Sequence, residues 1–214
     1  MALAAKICGL NESAGVAAAI DGGARYVGFV FYRPSPRHVS PQEARSLMAA
    51  VPPNVAKVGL FVDADDATIA AALAAPLDWL QLHGAETPER VADIKRRFGL
   101  PVIKAVAIAA ATDIAAAERY VDAADRLLFD AKPPRHRNGA LPGGNGLAFD
   151  WRLLGARSWP VPWMLSGGLN DGNLAEAVTT THALAVDVSS GVETRPGVKD
   201  PDKIIAFLRT AASL

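Results

Sequence analysis

Cys8 and Asp130 carry the two side chains of this sequence best suited to work together as a base and an acid. Cys8 is the only cysteine among 214 residues. Each residue ends a short apolar run, Ala5-Lys6-Ile7-Cys8 or Leu127-Leu128-Phe129-Asp130. In a ring of parallel strands both side chains would emerge at the same rim. Taken alone, Cys8 is equally compatible with a small buried hydrophobe, and Asp130 with a helix cap or a partner of Lys132.

Eight apolar runs of strand length could position these two residues. Most of the runs lack the apolar and polar alternation of a sheet with one wet face. They therefore indicate parallel strands that are covered by helices. The predicted strands are residues 6–10, 26–31, 57–62, 79–83, 102–106, 127–130, 163–166 and 184–188.

Helical segments alternate with these strands. Ser40-Pro41 and Thr87-Pro88 each place a capping residue before a proline, which favours a helix N-terminus. Eight strand–helix units of about 27 residues each are typical of a (β/α)8 barrel, whereas six would indicate an open doubly wound sheet. We therefore predict an α/β fold, a single (β/α)8 TIM barrel of the phosphate-binding type, with residues 1–214 as one domain. The predicted helices are residues 13–21, 41–50, 65–75, 87–98, 113–121, 150–154, 171–178 and 200–211.

Glycine- and serine-rich turns follow the last two predicted strands. Ser166-Gly167-Gly168-Leu169 offers backbone N–H groups that no side chain shields, and Ser189-Ser190-Gly191-Val192 adds hydroxyl groups. Phosphate sites in this fold commonly use these two loops. The predicted phosphate-binding residues are Gly167, Gly168, Asp187, Ser189, Ser190 and Gly191.

Arg37 and His83 are the predicted substrate-binding residues. Arg37 lies in a loop that Pro34 and Pro36 stiffen, where its guanidinium could clamp a carboxylate, although a solvated surface arginine fits the sequence equally well. His83 ends the fourth predicted strand. None of the four histidines has a histidine partner at metal-binding spacing, so we expect His83 to orient the substrate or to have a structural role. No metal site is predicted.

The longest irregular stretch, residues 131–148, contains three prolines and four glycines. A loop of this length in a compact domain is usually functional or disordered. Because it directly follows Asp130, we interpret it as an active-site lid. A tolerated surface insertion is the alternative.

Composition restricts the classes of function. Basic and acidic side chains balance at 22 each, and no basic stripe appears, so no nucleic-acid partner is expected. No uncharged apolar stretch approaches the roughly 20 residues of a membrane helix, and the N-terminus shows no signal peptide. A single cysteine suits a reducing compartment. We expect a cytoplasmic protein with no membrane contact.

The motifs at the strand ends together resemble the phosphoribosylanthranilate isomerase family. The resemblance covers essentially the whole chain. It is carried by Lys6-Ile7-Cys8-Gly9, Gly28-Phe29-Val30-Phe31, Ser35-Pro36-Arg37, Gln81-Leu82-His83-Gly84, Leu128-Phe129-Asp130, Leu165-Ser166-Gly167-Gly168-Leu169 and Asp187-Val188-Ser189-Ser190-Gly191-Val192-Glu193.

This resemblance implies an Amadori rearrangement in tryptophan biosynthesis, with a phosphosugar substrate and no cofactor. Asp130 would be the general acid, Cys8 the general base, and Arg37 the residue that holds the anthranilate carboxylate. Asp130 must then hold a proton part of the time near neutral pH. The pKa of Cys8 should be lowered or matched to neutral pH, since only a thiolate can act as the base.

Three other functions remain compatible with such a barrel. A ribulose-phosphate 3-epimerase-like enzyme would need clustered metal-binding histidines, which the sequence lacks. An isomerase that also accepts the histidine-pathway aminoaldose would usually pair two aspartates, and Cys8 stands where the first would be. A barrel that binds phosphate without turnover is the non-enzyme alternative. The oligomeric state is predicted as monomer or homodimer, with a weak preference for the monomer.

Overall fold

A closed barrel of eight parallel strands forms the centre of the chain. The structure is a computed structural model and describes residues 3–132, 143–144, 146, 148–155 and 157–214. The strands pair in chain order, and the last one closes the ring against the first. The predicted (β/α)8 fold is confirmed. The strands are β1 (Ala4–Cys8), β2 (Tyr26–Val30), β3 (Ala56–Phe61), β4 (Trp79–Leu82), β5 (Val102–Ile108), β6 (Arg126–Ala131), β7 (Trp163–Leu165) and β8 (Ala185–Val188).

Helices connect the strands. The predicted caps form: the Ser40 hydroxyl accepts a hydrogen bond from the Glu43 N–H, and the Thr87 hydroxyl accepts one from the Arg90 N–H. None of the helices in the described ranges is long and apolar enough to cross a membrane. The helices are α1 (Ser13–Asp21), α2 (Pro41–Met48), α3 (Asp66–Ala72), α4 (Pro88–Phe98), α5 (Ala111–Ala117), α6 (Arg152–Gly155), α7 (Leu174–Thr181) and α8 (Pro201–Ala212).

Local backbone geometry explains where the observed elements differ from the predicted ones. β1 ends at Cys8 instead of residue 10, because Gly9 adopts φ +75° and turns the chain out of the strand. α7 begins at Leu174, three residues later than predicted, because the side chain of Asn170 accepts a hydrogen bond from the N–H of Gly172 and holds a turn there.

A short hairpin after the barrel was not predicted. It consists of β9 (Glu193–Arg195) and β10 (Val198–Lys199). Gly197 adopts φ +84° at the turn between them. Two strands this short carry too few residues to show a period in sequence.

The apolar core has two layers. The larger lies between the barrel and the helices. The smaller draws its residues from six different strands, which only the barrel interior can bring together. The buried members of this inner layer are Tyr26, Val58, Ile103, Ala105, Leu128, Met164 and Ala185.

Candidate active site

Cys8 and Asp130 line the same cleft at the carboxyl ends of the strands. The cleft is lined by residues from the ends of several strands and the loops that follow them, as in the active sites of this fold. The two residues are more than 120 positions apart in sequence, so only barrel closure brings them to one mouth. The structure therefore places a thiol and a carboxyl group on opposite walls of one cavity.

The thiol of Cys8 is buried and lies near an ion pair. Burial raises the pKa of Cys8, while the positive charge of Lys6 lowers it and the negative charge of Asp187 raises it again. The raised pKa is opposite to the expectation that it is lowered or matched to neutral pH, because burial outweighs the charge of Lys6. The physical reason is that the closed barrel excludes the water that would solvate a thiolate.

Asp187 belongs to this ion pair. Its Oδ1 accepts a hydrogen bond from Lys6 Nζ at 2.7 Å, and its Oδ2 accepts one from the Ser166 hydroxyl at 3.2 Å. A carboxylate cannot donate a hydrogen bond to phosphate, and its charge would repel the dianion. These contacts count against Asp187 as a phosphate ligand, and that assignment stays a prediction.

Asp130 is held by His83. Its Oδ2 lies 3.1 Å from His83 Nε2, and its Oδ1 accepts a hydrogen bond from the Ala131 N–H at 2.9 Å. His83 Nδ1 lies 3.0 Å from the amide nitrogen of Gln81. In this amide orientation Gln81 donates, so His83 Nε2 carries the hydrogen that points at Asp130. Lys132 pairs with Asp113 at 2.9 Å instead, so the alternative ion pair with Asp130 is not formed.

His83 therefore has no ring nitrogen left for a substrate. One nitrogen contacts Gln81 and the other contacts Asp130. Of the two predicted roles of His83, these contacts favour the structural one, the positioning of Asp130, and substrate binding stays a prediction. Gly143 lies directly over this pair, because a side chain there would come within 2.6 Å of His83 Nε2 and 2.7 Å of Asp130 Oδ2.

Arg37 also lies in the cleft, fixed by a carboxylate. Its Nε and Nη2 donate to the two oxygens of Glu193 at 2.7 and 2.8 Å, a bidentate pair. Glu193 in turn accepts a hydrogen bond from Lys199 Nζ at 2.8 Å. Arg37 and Glu193 are both buried, so Arg37 is not the solvated surface arginine of the alternative interpretation. Its Nη1 makes no hydrogen bond to any residue that the structure describes, and it faces Gly144 in the cleft.

The two glycine-rich loops meet at the other side of the cleft. Gly167 and Gly168 adopt φ values of +89° and +64° and line the cavity together with Ser189 and Ser190. Within the described part of the chain, the N–H groups of these two glycines donate to no backbone acceptor. Lys199 Nζ donates to the carbonyl and hydroxyl oxygens of Ser189, which brings a positive charge beside the loop. This arrangement suits a phosphate dianion.

Gly191 has a different place from the one predicted. It is not among the residues that line the cleft. A side chain at position 191 would overlap the carbonyl of Leu169, so this glycine lets the two loops pack against each other. Its contribution to the phosphate site is therefore structural.

The predicted lid falls mostly outside the described residues. The described glycines of residues 131–148, which are Gly143, Gly144 and Gly146, all line the cleft. The Gly144 carbonyl accepts a hydrogen bond from Arg37 Nη2 at 3.2 Å. Its role as a lid stays a prediction.

Four site residues escaped sequence reasoning: Lys6, Gln81, Glu193 and Lys199. Lys6 and Gln81 interrupt otherwise apolar strands. A charged or amide group in a strand predicted to be buried needs a polar partner, so both were detectable as an anomaly. Glu193 and Lys199 lie in the hairpin whose strands are too short to recognise from sequence. Among the described residues no group of three or more His, Cys, Asp or Glu side chains is arranged to hold a metal ion.

Fold and site together define a phosphate-binding (β/α)8-barrel enzyme equipped for acid–base chemistry. A family model described as N-(5'phosphoribosyl)anthranilate (PRA) isomerase matches residues 5–210. The chain belongs to that family and is an aldose–ketose isomerase of tryptophan biosynthesis.

Similarity to individual proteins extends over the full chain. N-(5'-phosphoribosyl)anthranilate isomerase of Paracoccus denitrificans is 60% identical over 214 residues, which cover 100% of this chain and 99% of the relative. The solved structure of monomers generated from the dimeric phosphoribosylanthranilate isomerase of Thermotoga maritima has a TM-score of 0.83 and 35% identity, with 99% and 100% coverage. A phosphoribosyl anthranilate isomerase in complex with reduced 1-(o-carboxyphenylamino)-1-deoxyribulose 5-phosphate has a TM-score of 0.84, 35% identity and the same coverage.

Proposed function

We propose that this chain converts N-(5-phosphoribosyl)anthranilate into 1-(2-carboxyphenylamino)-1-deoxyribulose 5-phosphate, with Asp130 as general acid and Cys8 as general base. One observation carries this assignment: both side chains line a single cleft between the glycine loops and Arg37. The loops would bind the phosphate of the substrate, and Arg37 would bind its carboxylate. A related structure holds the reduced product in this fold.

The reaction needs one proton donated and one removed. Asp130 would protonate the ribose ring oxygen as the bond from C1 to that oxygen breaks, and the anthranilate nitrogen lone pair would form the C1 iminium. The Cys8 thiolate would then take the proton from C2, which the iminium makes acidic, to give an enolamine. Protonation at C1 and loss of the C2 hydroxyl proton complete the ketone.

Arg37 and the glycine loops would hold the two anionic ends of the substrate. Glu193 keeps the guanidinium in a fixed plane, so its Nη1 edge is available to a carboxylate without a search through rotamers. The backbone N–H groups of Gly167 and Gly168 and the hydroxyls of Ser189 and Ser190 would contact the phosphate oxygens. The sugar would then lie between Cys8 and Asp130.

Fluorescence-monitored consumption of freshly generated N-(5-phosphoribosyl)anthranilate tests the proposal. Cys8→Ala and Asp130→Asn should each lower turnover by about 10² to 10⁴, the usual contribution of a single proton-transfer group. Asp78→Asn is the matched control, because Asp78 precedes β4 at the opposite end of the barrel and pairs with Lys57. Wild-type turnover in either cleft variant would remove that residue from the mechanism.

We further propose that residues 1–214 form one domain that acts in the cytoplasm as a monomer or homodimer. The single barrel and the family match over residues 5–210 support one domain. In the described part of the chain only Leu184 and Leu214 are large exposed apolar side chains, which favours the monomer. Light scattering coupled to size-exclusion chromatography will distinguish the two states, and a relative from Thermotoga maritima is dimeric.

A further inference from the structure

Lys6 is a fully buried lysine in the barrel interior, directly below Cys8 on the same strand. Its neighbours Ala5 and Ile7 belong to the outer apolar layer, so strand alternation turns Lys6 and Cys8 inward together. A charged side chain with no solvent exposure is costly unless it is paired. Lys6 is paired with Asp187 at 2.7 Å. Family membership and the acid–base assignment leave this pair without a role.

Gly28 opens the space between the lysine and the thiol. It is the register partner of Cys8 on β2. A Cβ atom at position 28 would lie 3.0 Å from Cys8 Sγ and 3.0 Å from Lys6 Nζ. The sulfur and the ammonium nitrogen can therefore be no farther apart than twice this distance. An ammonium this close to a buried sulfur interacts strongly with a thiolate, because burial weakens the screening by solvent.

We propose that Lys6 is a positioning residue whose positive charge stabilises the thiolate of Cys8. The negative charge of Asp187 partly cancels this stabilisation. The inference deepens the proposed function and rests on the role of Cys8 as base. With Asp187 charged, the ammonium is shared between carboxylate and sulfur.

The protonation state of Lys6 is consistent with this role. Burial alone would lower the pKa of Lys6, but the negative charges of Asp187 and Cys8 outweigh burial and raise it. Lys6 thus stays positively charged while Cys8 titrates. It acts as a fixed charge and does not itself exchange protons with the sugar.

Other charges reach Cys8 from neighbouring elements and have to be kept constant in a test. Lys199 of β10 also lowers the pKa of the thiol. Arg37 lies against Gly9, and Glu193 lies between Arg37 and Lys199. Asp130, His83 and Tyr32 are further titratable groups that line the cleft.

The experiment compares the pH–rate profiles of iodoacetamide alkylation in the wild type, Asp187→Asn, and the double variant Lys6→Met/Asp187→Asn. Cys8 is the only cysteine, so every alkylation event reports this thiol. The rate near pH 7 is divided by the plateau rate at high pH, which removes differences in reagent access. The double variant carries neither charge, so it avoids the orphaned carboxylate that could unfold Lys6→Met alone.

Removal of the Asp187 charge and removal of the Lys6 charge should change the relative alkylation rate in opposite directions. Asp187→Asn should raise the relative rate above that of the wild type. Adding Lys6→Met to it should lower the relative rate by about tenfold or more, since an opposite charge at this range strongly favours the ionised form. Lys104→Met/Glu86→Gln serves as the matched control, because it removes an equally buried ion pair that lies away from Cys8, and it should leave the profile unchanged.

The wild type, in which Asp187 keeps Lys6 charged, should also have a higher relative rate than the double variant. A double variant whose relative rate equals or exceeds that of the wild type would overturn the proposal. A role of Lys6 in packing alone would give that result. The pH profile of kcat/KM should move in the same direction as the alkylation profile. If the alkylation order holds but the wild type does not turn over N-(5-phosphoribosyl)anthranilate, the proposed function fails while the link between Lys6 and the thiol stands.

Discussion

Lys6 and Lys104 are two buried lysines of this barrel, each paired with a carboxylate, but their side chains lie on opposite faces of the sheet. The side chain of Lys6 is 0% exposed and that of Lys104 is 2% exposed. Each is paired with a carboxylate, Asp187 at 2.7 Å or Glu86 at 2.6 Å. Lys6 points into the barrel below the cleft. The neighbours of Lys104, Ile103 and Ala105, belong to the inner layer, so Lys104 points outward toward the helices.

The outward lysine holds a loop together. Its Nζ donates to the carbonyl of Gly84 at 2.7 Å as well as to Glu86. Glu86 accepts hydrogen bonds from the N–H groups of Asp63 and Gly84, which follow β3 and β4. The Lys104 ammonium also lies 5.5 Å from the ring centre of Tyr120. The comparison teaches that strand parity, and not residue type or burial, separates a lysine near the chemistry from a structural lysine.

The largest expected effect is on stability at the outward lysine. Lys104→Met should lower the free energy of unfolding by about 3 to 5 kcal/mol, because it leaves the Glu86 carboxylate buried and unpaired. Lys95→Met is the surface control, since the Lys95 side chain is 42% exposed and its ion pair with the partly exposed Asp125 contributes at most about 1 kcal/mol. Urea unfolding measures both. Equal losses in the two variants would place Lys104 with ordinary surface lysines.

A second substitution at Glu86 should restore part of the stability that Lys104→Met loses. Lys104→Met/Glu86→Gln removes both charges while the amide oxygen of the new side chain can still accept hydrogen bonds from the loop N–H groups. About half or more of the lost stability should return, because no buried charge remains without a partner. Urea unfolding of the double variant beside Lys104→Met measures the recovery. Additive losses would show that the charge itself is not the source of the instability.

Arg37 extends the comparison to a charge that faces the cleft. Arg37→Ala should raise KM for N-(5-phosphoribosyl)anthranilate by about tenfold to a hundredfold, the value of a lost charge-assisted contact with the substrate carboxylate. Stability should change less than in Lys104→Met, because Glu193 keeps its hydrogen bond with Lys199. Steady-state kinetics and urea unfolding separate the two effects. An unchanged KM would assign Arg37 to loop structure alone.

The smallest expected effect is a pH dependence from Glu193. Burial raises the pKa of Glu193, but hydrogen bonds and charge from Arg37 and Lys199 outweigh burial and lower it below the ordinary value. A lowered folded-state pKa means that Glu193 stabilises the fold above about pH 4.3 and that this contribution is lost as the pH falls through the folded-state pKa. The stability difference between wild type and Glu193→Gln should therefore shrink on acidification, on the order of 1 kcal/mol.

The contribution of Lys6 to stability depends on pH in the opposite direction to that of Glu193. Its pKa is raised, so its contribution to stability is present throughout acidic and neutral pH and is lost only as the pH rises. Urea unfolding between about pH 6 and about pH 3 should thus reveal Glu193 and not Lys6. A difference between wild type and Glu193→Gln that stays constant over this range would show that Glu193 has the same pKa in both states.

The order of elements and the position of the cleft were readable from local sequence. Near-continuous apolar runs predicted all eight strands, and Ser40-Pro41 and Thr87-Pro88 predicted two helix starts. These signals are local, since a cap or a buried strand depends on residues a few positions apart. The rim positions of Cys8 and Asp130 followed once the strands were counted.

The roles around the thiol could not be read in the same way. The sequence shows that Lys6 is a charge in an apolar strand, but its partner Asp187 is 181 positions away. The direction of the Cys8 pKa depends on how far the closed barrel excludes water and on how two opposite charges share the site, which the sequence does not state. Likewise, the site of Arg37 depends on Glu193 in a hairpin with no periodic signal.

By itself, then, the sequence of this protein determined the count, type and order of its elements, because hydrophobic period and capping act within a few residues. Only the tertiary structure decided which buried charges pair, that His83 contacts Asp130, and that Asp187 forms an ion pair with Lys6. Electrostatic interactions depend on the distance between charges and on their exposure to solvent. Barrel closure sets both for residues that are remote along the chain.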